Sequence, residues 1–185
     1  MQPITRRMAL AGGALMLAAP SLAPRAFAEA KKAPLVLSWE NLMPEGEEDR
    51  LSELYEDYMR SLASGDAASI AEGSAADTMK QIGTFNTVKP LNGRLVRIAG
   101  YVVPLDFNAR NTLSEFLLAP YFGACVHAPP PPPNQIIYVT AKPAAKLKDL
   151  WGAVWAEGVL STDRKDSDLA SAAYTLALTK VEAYS

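Results

Sequence analysis

The sequence predicts a mainly β protein of the α+β type, with one N-terminal amphipathic helix before a small five-stranded barrel. Five segments after residue 91 are rich in β-branched and aromatic residues, which is typical of strands. Before them, apolar residues recur at spacings of three and four, which indicates a helix. The 185 residues, 49% hydrophobic and 21% charged, have the composition of an ordinary globular protein.

Residues 1–28 are predicted to be a cleaved signal peptide. Arg6 and Arg7 precede an uncharged apolar run over residues 8–19, and Ala26 and Ala28 provide a small-x-small cleavage pattern. The run is shorter than the roughly 20 apolar residues of a membrane-spanning helix, so we expect no stable transmembrane segment after cleavage. The paired arginines indicate a twin-arginine signal, although the general secretory route stays open. We therefore expect a periplasmic protein.

The charge of the remaining chain argues against nucleic-acid binding. Removing 28 of the 185 residues, three arginines among them, leaves 157 residues with 15 basic and 20 acidic side chains, a net charge of −5. Such a chain would repel a phosphate backbone. With a single Cys and a single His, the chain can form neither an intrachain disulfide nor a zinc site made of Cys and His alone.

Residues 29–90 are predicted to hold a strand, a helix and a connector. Leu35 to Trp39 forms the strand, and acidic residues that suit a helix N-terminus precede a helix from Glu47 to Ser64. Its apolar stripe is interpreted as core packing and comprises Leu51, Leu54, Tyr55, Tyr58 and Leu62. Residues 66–89 are rich in small and polar residues and are assigned to the connector.

Residues 91–185 are predicted to form the barrel. After a turn at Asn92-Gly93, the expected strands cover residues 94–105, 112–119, 135–141, 153–161 and 172–184. Lys142 to Leu150 favours a helix between the third and fourth strands, with Pro143 in its first turn. This order is that of an OB-like Greek-key barrel, and Gly100 and Gly158 suit the strand bends that closure requires. A different mixed α+β sheet is the alternative.

The segment PYFGACVHAPPPPPNQ, residues 120–135, carries the functional information. Its five prolines favour a stiff polyproline II conformation, which would hold a neighbouring site in a defined geometry. If the backbone is extended here, Cys125 and His127 lie on the same side of it. They could bind Zn²⁺ or Cu⁺, with Asp106 as a further candidate ligand, or form a thiolate–imidazolium pair. A buried structural Cys125 beside an ordinary His is the other interpretation.

The chain resembles a bacterial family of exported proteins of unknown function, over roughly Trp39 to Tyr184. The resemblance rests on PYFGACVHAPPPPPNQ, on RIAGYVVPLDF before it and on WAEGVL after it. It implies a periplasmic accessory or binding protein that works with an ABC transporter in metal homeostasis, zinc in particular. Cys125, His127, Asn134 and Gln135 match the motif of that family, and Tyr121, Asn134 and Gln135 are candidate binding residues.

Two other function classes stay open. The first is an enzyme with Cys125 as nucleophile and His127 as base, which is disfavoured because the sequence shows no further catalytic motif. The second is an interaction module whose polyproline loop docks a partner.

Overall fold

The computed structural model describes residues 33–64, 80–105, 112–125, 130–147 and 149–184. The elements are strand β1 (Leu35–Leu37), helix α1 (Glu47–Ala63) and the long strands β2 (Arg94–Pro104), β3 (Thr112–Ala119), β4 (Ile137–Lys146) and β5 (Ala153–Ser161), followed by the short strands β6 (Lys165–Asp166) and β7 (Ser171–Ala172) and the long strand β8 (Tyr174–Ala183). The predicted signal peptide lies outside the described residues. None of the described helices is long and apolar enough to cross a membrane.

Five long strands close into a barrel. β2 pairs antiparallel with β3 and with β5, and β3 pairs antiparallel with β4. β8 joins β4 in parallel and β5 in antiparallel orientation, which completes the circle. This strand order is that of an OB-like barrel, so the predicted fold class is confirmed. Because the barrel closes, its long strands leave few backbone groups unpaired at an edge.

At the two predicted bend positions, glycine allows the neighbouring strand to approach closely. A Cβ on Gly158 would lie 2.3 Å from the carbonyl oxygen of Ala177, and the β5–β8 register shifts between Glu157 and Gly158. A Cβ on Gly100 would lie 2.8 Å from Cγ of Leu118. A larger residue at either position would displace the neighbouring strand, because barrel interiors are closely packed.

The predicted helix over residues 142–150 is wrong, because β4 continues to Lys146. Ala145 pairs with Leu113 of β3 and Thr140 pairs with Glu115, so four residues of β4 bulge between these pairs. Pro143 lies in the bulge, where its missing N–H costs no ladder hydrogen bond. Ala and Lys favour a helix locally, but pairing with β3 and burial of Ala145 outweigh that propensity.

The core fills the barrel with apolar side chains from every long strand. Phe116 and Tyr174 are its largest fully buried members. The Tyr174 hydroxyl donates to the carbonyl oxygen of Leu42 at 2.8 Å and accepts the Val88 N–H at 2.7 Å. The segments on either side of α1 are thereby attached to the barrel wall.

The apolar stripe of α1 is not part of the buried core. Leu51, Leu54 and Tyr58 are only half-buried, and Tyr55 and Leu62 are exposed. The side chain of α1 that is buried is Glu47, in the first turn. The prediction that this stripe packs in the core is therefore wrong. α1 contacts the rest of the fold through Glu47 at its start and through Tyr58, whose ring faces the ammonium group of Lys80.

Candidate functional site

The turn after β3 contains the first half of the proline-rich motif. Gly123 and Cys125 both have positive φ angles, 77° and 66°, so the chain reverses sharply here. Ala124 between them is fully buried, and it anchors the turn against the second apolar cluster of the molecule. The side chains of Tyr121 and Phe122 consequently lie at the surface.

Cys125 is half-buried against that apolar cluster, with Leu105 packed on the same cluster. Burial raises the pKa of its thiol to about 11. A thiol with this pKa is almost wholly protonated at neutral pH, which is the opposite of an activated nucleophile. His127 and Asp106, the other predicted ligands, lie outside the described residues.

Metal ligands do not cluster in the part of the chain that the structure describes. No group of three or more His, Cys, Asp or Glu side chains within these ranges could hold a metal ion. The hypothesis of a metal site thus depends on Cys125 together with residues outside the described ranges.

Tyr121 lies beside Cys125 and close to α1. Its exposed fraction is 41%, and its pKa is raised first by partial burial and then by the nearby Cys125 and Tyr55. This predicted binding residue therefore belongs to the same surface region as Cys125.

The prolines of the motif pack against the chain itself. Pro130, Pro131 and Pro133 are buried. Gln81 connects the prolines to β7. Its Nε2 donates to the carbonyl oxygen of Pro131 at 2.8 Å, and its Oε1 accepts the N–H of Ser171 at 2.9 Å. Residues 130–133 are therefore largely covered by the chain itself, which weighs against docking through this run.

Asn134 and Gln135 bind other parts of the chain. Asn134 is 1% exposed and donates from Nδ2 to Oε1 of Glu47 at 3.2 Å. Gln135 donates from Nε2 to the carbonyl oxygen of Trp39 at 3.0 Å. Both predicted binding residues thus attach the proline-rich segment to the region around α1.

Glu47 is a buried polar residue that the sequence analysis did not single out. Its carboxylate is the acceptor for Asn134, for the Thr84 hydroxyl and for Nδ2 of Asn86 at 2.9 Å. In the sequence it is one of four acidic residues at the start of a helix, and nothing in that pattern distinguishes the buried one. Its contacts connect α1, residues 84–86 and the motif.

A cavity of about 720 Å³ lies beside the turn after β3. Its walls come from five separate stretches of chain: residues 101–105, residues 122–124, Tyr138, Leu150 with Trp151, and residues 165–169. The first four stretches contribute mainly apolar side chains, with the hydroxyls of Tyr101 and Tyr138 as the exceptions, and residues 165–168 contribute the charged groups and the hydroxyl of Ser167. The cavity is therefore apolar on most sides and polar on one. No local pattern in the sequence indicates it.

Aromatic rings form one wall of the cavity and extend to its mouth. Phe122 meets Tyr101 and Trp151 edge to face, with ring centroids 6.0 and 6.2 Å apart. Trp151 is 67% exposed and Phe122 is 56% exposed, although both are large and apolar. Exposed aromatic side chains clustered at a concave surface mark a binding site more often than a structural one.

The fold is that of a small closed β-barrel protein with one described α-helix. Its cavity is a concave, largely apolar site that is large enough for a small-molecule ligand. The family described as "Protein of unknown function (DUF3299)" matches residues 39–183, and the chain belongs to that family. A crystal structure of a DUF3299 family protein from Pseudomonas aeruginosa PAO1 is similar, with 31% sequence identity and a TM-score of 0.61. The match covers 83% of this chain and 97% of that one. No curated protein matches the chain.

Proposed function

We propose that this protein is an exported, periplasmic binding protein whose ligand site is the aromatic-walled cavity. The single observation that carries the proposal is the cavity itself, with Phe122 and Trp151 held exposed at its mouth. Small-molecule sites are typically clefts of roughly 300–1,000 Å³ with apolar walls and a few polar groups, and this cavity fits that description.

The position of the cavity in the barrel supports the proposal. Barrels of the OB type bind ligands beside the loop between their first two strands and the loop between their last two. Leu105 begins the connection from β2 to β3, and residues 165–169 belong to the connection from β5 to β8. Fold analogy thus indicates where a ligand would bind, and the lining residues determine the chemistry of the site.

A thiol enzyme is less well supported than a binding protein. The raised pKa of Cys125 disfavours the thiolate that nucleophilic catalysis requires. The motif instead supplies one wall of the cavity, through Phe122, Gly123 and Ala124.

Partnership with ABC-transporter components and a role in zinc homeostasis rest on family resemblance alone. The corresponding hypothesis for a site is that Cys125 and His127 bind zinc or copper, with Asp106 as a third candidate. Metal analysis of protein purified without added metal, compared with Cys125→Ser and His127→Ala variants, tests it. A stoichiometric metal lost in both variants would support it, and metal-free protein that takes up neither ion would contradict it.

Binding of an apolar probe tests the proposed site directly. The uncharged fluorescent compound N-phenyl-1-naphthylamine should bind the full chain saturably, with emission that rises as the probe leaves water. Trp151→Ala should weaken this binding severalfold, because it removes an exposed ring from the cavity lining. Trp155→Ala is the matched control, because Trp155 packs on Tyr184 and Arg97 and is not a lining residue. Absence of saturable binding, or equal loss of affinity in both variants, would contradict the proposed site.

A further inference from the structure

We propose that the cavity takes a free anionic amphiphile, a molecule with an apolar body and one carboxylate or phosphate head, and that Lys165 binds the head. The inference rests on the proposed function, because it specifies the ligand of the same cavity.

The ammonium group of Lys165 is directed at the cavity wall. Its Nζ lies 5.4 Å from the ring centroid of Tyr138, a residue that is buried and lines the cavity. Within the described ranges Lys165 forms no ion pair. A cation over an aromatic face retains its attraction for an anion that arrives from the open side.

The two carboxylates of the same loop do not cancel this charge. Asp166 Oδ1 is paired with Nε of Arg164 at 3.0 Å, and hydrogen bonds from Ser171 and then Arg164 lower its pKa. Asp168 is exposed. Lys165 is therefore the charged lining residue that lies against a buried residue of the wall. Substitution of Asp168 tests whether the cavity prefers a cationic ligand instead.

The rest of the lining suits an apolar body rather than a second polar group. The cavity is faced by Val103 of β2 and by one residue from each of the four connections between the barrel strands, namely Leu105, Phe122, Trp151 and Leu169. Burying an alkyl or aryl body against them would supply most of the affinity, at about 25 cal/mol per Å² of apolar area. The head would then determine orientation and selectivity.

Amphiphiles that share one chain and differ in the head test the inference. Dodecanoate, dodecyl phosphate, dodecanol and dodecylamine, all below their micelle concentrations, should be compared as competitors of N-phenyl-1-naphthylamine on the full chain. We expect the two anions to bind about tenfold more tightly than the amine, since a hydrogen bond to a charged group is worth that much. Lys165→Gln should remove this preference and leave dodecanol unchanged.

Two controls separate the charge of Lys165 from general effects. Lys89→Gln removes an exposed lysine near the start of β2, at the opposite end of the strand from Tyr101, and should change nothing. Asp168→Asn should leave anion binding equal or stronger. The proposal would be overturned in favour of a cationic ligand if the unmodified protein preferred dodecylamine and Asp168→Asn bound dodecylamine more weakly.

The remaining outcomes are also decisive. Equal binding of all four heads would overturn the anionic head and leave the proposed function standing. If the probe itself does not bind, both proposals fail. Binding to vesicles of phosphatidylglycerol that Lys165→Gln abolishes, without binding of monomeric dodecanoate or dodecyl phosphate, would overturn the free amphiphile.

Discussion

Glu47 illustrates how single residues attach the motif to the rest of the fold. Its buried carboxylate accepts hydrogen bonds from Thr84, Asn86 and Asn134. Glu47→Gln would turn one acceptor into a donor that faces other donors. We expect a loss of about 1–3 kcal/mol in the free energy of unfolding, measured by urea denaturation. Exposed Glu48→Gln is the control and should stay within about 0.5 kcal/mol. A similarly small effect for Glu47→Gln would contradict its role.

Cys125 provides a prediction about pH at the same scale. Its thiol pKa is raised to about 11 by burial, so alkylation of the folded protein by iodoacetamide should be slow at pH 7 and accelerate well above pH 9. The urea-unfolded chain, whose thiol has an ordinary pKa, should react faster at every pH below about 11. Faster reaction of the folded protein at pH 6 to 7 would contradict the burial and revive the nucleophile hypothesis.

The sign of the accompanying stability change follows from proton binding. Between the ordinary thiol pKa and about 11, the folded state retains a proton that the unfolded state has released. Stability must therefore fall as pH rises through that interval, and Cys125→Ala should remove this part of the pH dependence.

Individual site residues could be selected from the sequence only in part. The proline-rich segment is unusual enough to indicate Cys125, Tyr121, Asn134 and Gln135 as candidates. Residue type alone does not distinguish a side chain that binds a ligand from one that forms hydrogen bonds within the chain. Asn134 and Gln135 proved to bind the chain itself. Burial of Glu47 depends on contacts with residues 37 to 87 positions away, which no local pattern encodes.

Among the elements, the strands were predictable and one connection was not. Four of the five barrel strands begin and end within two residues of their predicted limits, because β-branched and aromatic runs are strong local signals; the third ends five residues beyond its predicted end. Residues 142–150 were predicted to be a helix with Pro143 in its first turn, yet the bulged pairing of β4 with β3 extends the strand to Lys146. The stripe of α1 was recognised, but the pattern does not determine how deeply a helix is covered.

Gly158 gives the prediction that belongs to the strands. A methyl group there would lie 2.3 Å from the Ala177 carbonyl oxygen, which is backbone and cannot rotate away. Gly158→Ala should therefore destabilise the barrel by roughly 1–3 kcal/mol. In the control, Gly152→Ala, the nearest atom is the movable carboxylate oxygen of Asp149 at 3.0 Å. Equal unfolding free energies for the two variants would show that β5 and β8 do not approach as closely as described.

At the scale of the whole molecule, the closed barrel was predictable and the cavity was not. The order of strands along the chain is already that of an OB-like barrel, so topology follows once the strands are assigned. The cavity is made by five stretches between residues 101 and 169, and their meeting depends on barrel closure. Tyr101, Phe122 and Trp151 become one aromatic wall only in three dimensions.

Export by cleavage of a signal peptide is a prediction about the protein as a whole. The family model matches residues 39–183, so cleavage after Ala28 would leave the matched region intact. Envelope-fraction protein should begin at Glu29 on N-terminal sequencing. Replacing Arg6 and Arg7 together by lysines keeps the positive charge that the general secretory route uses, but removes the twin-arginine pair. Loss of export in that variant would assign the twin-arginine route, and unchanged export would assign the general secretory route. Full-length unmodified protein confined to the cytoplasm would refute export by either route.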